Sequence, residues 1–91
     1  MSLEERRKAM NEMAARINAG RKPKFGDLMC NLWAGDTNPN KFGMFVRQRR
    51  VTGRMNPGLW FELTDGSGKF WETNGEATVF ASHLKGDEVL P

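Results

Sequence analysis

The hydrophobic period of this chain changes once, and that change fixes the order of its parts. Over residues 2–19, Leu3, Met10, Met13, Ala14 and Ile17 recur at helical spacing. From Phe25 onward apolar residues alternate, and turn-forming clusters interrupt them roughly every eight to twelve residues. A helix followed by several short strands is the pattern this predicts. The 91 residues allow one domain with a small core. The single cysteine, Cys30, excludes an internal disulfide, so the fold has to rest on packing.

The helix has a start signal in Ser2 and Glu5, spaced as a capping box, and a stop signal in Gly20, with Pro23 beyond it. Five strands are expected after it. The first covers 27–34, with Leu28, Cys30, Leu32 and Ala34 on one face and Met29, Asn31 and Trp33 on the other. The second covers 43–51. The third covers 59–64, with Leu59, Phe61 and Leu63 inward. The fourth and fifth cover 69–73 and 76–82, joined at Asn74-Gly75, which has the composition of a type I′ turn. The segments 35–40, 52–58 and 65–68 are rich in Gly, Asn, Asp and Pro and read as turns.

The fold class is therefore α+β, mostly β: an N-terminal helix, then a small five-stranded antiparallel barrel of SH3-like size, with an OB-like barrel or an open antiparallel sheet as alternatives. Phe25-Gly26-Asp27-Leu28-Met29 resembles the Gly-Asp-hydrophobic opening of many SH3-like barrel domains, a resemblance that bears on fold alone. The organisation is a basic amphipathic helix and linker over 1–24, the barrel over 25–83, and a tail over 84–91.

Charge is sorted along the same axis. Residues 1–24 hold seven Lys/Arg against three acids, 25–60 five against two, and 61–91 two against six. A basic front and an acidic back point to a partner of complementary charge. No catalytic, metal or cofactor motif accompanies this. One His and one Cys fall short of a structural zinc site, and Cys30 lies on a strand face where a thiol acts as a small hydrophobe. The glycines at 66 and 68 are followed by a strand, whereas a phosphate cradle needs a helix behind it. The chain reads as a non-enzymatic binding module without cofactor, metal or membrane segment, expected in the cytoplasm, including that of a virus-infected host cell.

Nucleic acid is the leading partner class, and a protein partner is the alternative. Nucleic acid, single-stranded above all, would be held by Arg47, Arg49, Arg50, Arg54 and Lys24 on phosphates, with Trp33 or Trp60 stacking on bases. A protein partner, such as a host nucleic-acid enzyme inhibited by a viral protein, would instead meet the acidic hairpins of Glu62, Asp65, Glu72 and Glu76 together with Trp71. The stripe of Leu3, Met10, Met13 and Ile17 could dock on its own domain or join two copies into a homodimer.

Overall fold

The computed structural model describes residues 2–53 and 57–84. The chain forms one helix, α1 (Leu3–Asn18), and five strands: β1 (Leu28–Asn31), β2 (Phe42–Val51), β3 (Gly58–Thr64), β4 (Phe70–Asn74) and β5 (Thr78–Phe80). All pairings are antiparallel, in the order β4-β3-β2-β1-β5. The α+β, mostly β class and the five strands stand as expected. The sheet is not closed into a barrel: β4 and β5 are its two edges, so the open-sheet arrangement is the one adopted.

The capping box at the start of α1 forms in full, with Ser2 Oγ accepting from the Glu5 amide and the Glu5 carboxylate accepting from the Ser2 amide. The ten residues of β2 serve two neighbours. Phe42–Met44 pair with β1 and Met44–Val51 with β3, so Met44 serves both, and the register shifts between Phe45 and Arg47. Such an irregularity bends a strand and raises its twist.

Two apolar clusters lie on opposite faces of the sheet. Met29, Phe45, Phe61, Leu63 and Phe80 form the inner one, with Leu59 and Trp71 packed against it. Cys30, Leu32 and Val79 form the outer one with Ala14 of α1, covered by Met10, Met13 and Ile17. Strand β5 and the Met29-Cys30 pair of β1 are thus buried on both faces, so a core residue stands on either side of the sheet there. The alternation expected for 27–34 holds over the strand, with Leu28 and Cys30 on one face and Met29 on the other, but the Cys30 face is the one under the helix and Met29 is the residue that enters the inner core. Met29 is fully buried in the inner core, while Leu28 is half exposed and the strand ends at Asn31.

The docked stripe also disposes of one partner contact. Met10, Met13 and Ile17 are occupied by the sheet of their own chain, so the homodimer expected from Leu3, Met10, Met13 and Ile17 has lost three of its four contacts. Leu3 alone stays exposed.

Asn18 completes the docking. Its Nδ2 donates to the Thr78 carbonyl at 3.1 Å and its Oδ1 accepts from the Phe80 amide at 3.0 Å. One side-chain amide thereby satisfies two backbone groups on β5 that a further strand would otherwise take.

The Asn74-Gly75 turn departs from expectation. Asn74 has φ of −68°, and its side chain accepts from the Glu76 amide to open a 3-10 turn over Gly75–Ala77. This turn leads away from β4 to β5 on the far side of the sheet. Glycine is needed at 75 because a Cβ there would sit 2.7 Å from the Phe61 ring.

Candidate interaction surface

The outer face of the sheet has two parts. Helix α1 covers the side built on Cys30 and Val79. The side built on β2, β3 and β4 is uncovered, and the register sets its residues in rows. Leu28, Met44, Thr64 and Phe70 are successive cross-strand partners from β1 to β4. Directly opposed side chains stand about 5 Å apart, so these four make a continuous row. Phe42 lies two residues from Met44 on the same face. Leu28, Phe42, Met44 and Phe70 are 52%, 44%, 37% and 57% exposed. Contiguous exposed apolar side chains of this size mark interaction surfaces in soluble domains. Thr64 between them is buried, its hydroxyl donating to the Lys69 carbonyl at 2.8 Å.

The next row is ionic. Arg47, Glu62 and Glu72 are cross-strand partners, and Arg49 and Trp60 follow. Arg47 Nε meets Glu62 at 3.2 Å, and Arg49 grips Glu72 in a two-bond fork at 2.6 and 2.8 Å. The fork holds the Glu72 carboxyl below the usual glutamate range, and the same bond raises the Arg49 guanidinium. A depressed carboxyl stabilises the fold above its ordinary pKa, and that contribution is lost as pH falls through its folded-state value. Carbon-detected NMR titration should therefore place the Glu72 midpoint below that of an unpaired glutamate, and Arg49→Gln should move it up. An unmoved midpoint in that variant would dissociate the shift from the fork.

The other expected site residues scatter. Arg50 is exposed at the end of β2, and Lys24 lies exposed in the linker, its amide bonded to Asp27. Arg54 lies outside the described residues. Trp33 stands in the turn after β1, 38% exposed, far along the chain from the arginines of β2. Trp60 is on the outer face and half-buried, facing a cleft that Arg7 and Asn11 of α1 also line. Trp71 belongs to the inner core, while its neighbour Phe70 points outward. Asp65 is held within its own turn by the Ser67 hydroxyl and amide, which lower its carboxyl. Glu76 accepts from Asn11 of α1.

One side of the basic helix carries charges of both signs. Glu4, Lys8, Glu12 and Arg16 follow one another at i,i+4 along the exposed side of α1, alternating in sign. Cys30, His83 and Lys41 serve the fold. Cys30 is buried, which pushes its thiol up. His83 is held by α1, with Nδ1 2.8 Å from the Ile17 carbonyl and Nε2 3.4 Å from Arg21. Lys41, which sequence reading passed over, is a buried lysine whose ammonium reaches Asp36 at 2.8 Å. Among the described residues no three His, Cys, Asp or Glu side chains come together as metal ligands, and no helix is long and apolar enough to cross a membrane.

Comparison with protein-family models, with curated proteins and with solved structures finds no match for this chain.

Sequence reasoning missed the apolar row because each of its members comes from a different strand. The signal was there in Phe70 next to Trp71 and in Phe42 and Met44 two apart, but only the register joins them.

Proposed function

We propose that this protein is a protein-interaction module that works through the uncovered outer face of its sheet. The observation carrying this reading is the continuous row of Leu28, Met44 and Phe70, flanked by Phe42 and bordered by ion pairs. An apolar centre with a polar rim is the usual anatomy of a protein interface. The nucleic-acid reading draws less support, because Arg47 and Arg49 already donate to Glu62 and Glu72. A phosphate would have to displace a carboxylate from each. The same pairing shifts the protein reading away from the acidic hairpins and onto the apolar row.

The test compares the wild type with a Met44→Asp, Phe70→Asp variant as bait in extracts of the source cell. Both positions are exposed, so the variant should melt within a few degrees of the wild type. Stoichiometric retention of a protein by the wild type, lost in the variant, is the expected result. Identical retention by both overturns the reading. A parallel oligonucleotide titration that responds to Arg47→Glu and Arg49→Glu, while ignoring the apolar variant, would restore nucleic acid as the partner.

A further inference from the structure

We infer that the partner of the uncovered face is a second copy of this chain, an inference that rests on the reading of that face as a protein interface. The argument is one of self-complementarity. A two-fold contact sets a surface against itself, so a patch of net charge repels its own copy. Here the charges cancel within the patch. They are also sorted by strand: the cations Arg47 and Arg49 stand on β2, and the acids Glu62 and Glu72 on β3 and β4.

A two-fold axis parallel to the strands and running between β2 and β3 carries β3 of one copy over β2 of the other, and β4 over β1. Residues in one row stay at one height under that rotation. Glu62 of one copy then faces Arg47 of the other, and Phe70 faces Leu28, so acid meets base and apolar meets apolar. Met44 meets Thr64, whose hydroxyl is already engaged with the Lys69 carbonyl and the Gly66 amide. Sheets packed face to face in this aligned manner lie about 10 Å apart at about −30°.

The face spans four strands, roughly 15–20 Å across at ordinary strand spacing. That is smaller than a standard interface, which places the dimer in the weak, concentration-dependent class.

Sedimentation equilibrium of the full chain from about 5 to about 500 µM spans the range in which a weak dimer forms. The expected result is a mass rising from monomer toward dimer, with Phe70→Asp moving the midpoint up at least about tenfold. A second arm uses Arg47→Glu and Glu62→Arg. Each variant alone places like charges across the two-fold contact and stays monomeric. Mixed in equal amounts, they put an acid opposite a base at both contacts and associate. A wild type that stays monomeric throughout, or a dimer indifferent to Phe70→Asp, overturns the inference. So does equal self-association of the two charge variants. If the wild type is monomeric while Met44→Asp, Phe70→Asp still loses a captured protein, the interface reading stands and only the second copy is excluded as its partner.

Discussion

A Gly43→Val variant is expected to melt about 10–20 °C below the wild type. Gly43 is buried on β2, opposite Met29. A Cβ at this position would lie 2.6 Å from Trp71 Cζ2, 3.0 Å from Leu63 Cβ and 3.1 Å from Trp71 Cη2. None of these atoms is the free end of a flexible chain. Leu63 is fully buried, and the Trp71 ring is packed against the inner cluster. Overpacking of a tight core costs about 1–3 kcal/mol and sometimes more, and in a domain of this size each kcal/mol shifts the melting temperature by about 4–8 °C. The cause can be isolated with a second substitution. Trp71→Leu removes the obstructing ring, so Gly43→Ala should cost less beside Trp71→Leu than alone, a coupling that a double-mutant cycle reads directly. Additive losses, or a Gly43→Val protein that melts with the wild type, would show that the ring is not held where the sheet places it.

The second large effect is at Asn18. Asn18→Leu leaves the Thr78 carbonyl and the Phe80 amide without their side-chain partner, on a strand whose residues are all buried. A buried backbone group stripped of its hydrogen bond costs about 1–3 kcal/mol, so the variant should lose about 2–5 kcal/mol by denaturant unfolding. Asn18→Asp keeps an acceptor for Phe80 but sets a carboxylate against the Thr78 carbonyl, and should fall between the two. Hydrogen exchange gives the local readout: the Phe80 amide should exchange much faster in Asn18→Leu. Unchanged protection there would mean that β5 is held by the sheet alone.

How far the sequence revealed this molecule depends on the range of the signal. The helix start was legible because its cause lies within four residues, Ser2 to Glu5. The inward set Leu59, Phe61 and Leu63 was legible because β3 packs its core on one face only. In β1 the alternation of Leu28 and Cys30 against Met29 was legible, but which side enters the inner core was not, since the helix buries Cys30 and Val79 from the second face. Asn74-Gly75 misled for a related reason. Its composition suits a tight turn, yet the glycine answers to the Phe61 ring, a contact from another strand. Charge sorting along the chain was real, but antiparallel pairing folds the acidic back onto the basic middle. Arg47 finds Glu62 fifteen residues on and Arg49 finds Glu72 twenty-three on, so these two arginines are paired within the sheet. The apolar row needed the same register to appear, so the interaction surface was the least legible part.

The most direct test of the account puts a photo-reactive phenylalanine analogue at position 70, with the same probe at Ser82 as reference, in cells that make the protein. Phe70 and Ser82 are both exposed, and they belong to different parts of the molecule. The account predicts a discrete protein adduct from position 70 that disappears with Met44→Asp, and no such adduct from position 82. An adduct of twice the chain's mass would identify the second copy. No adduct from position 70, or the same adducts from both positions, would contradict the claim that the uncovered face of the sheet is where this protein meets its partner.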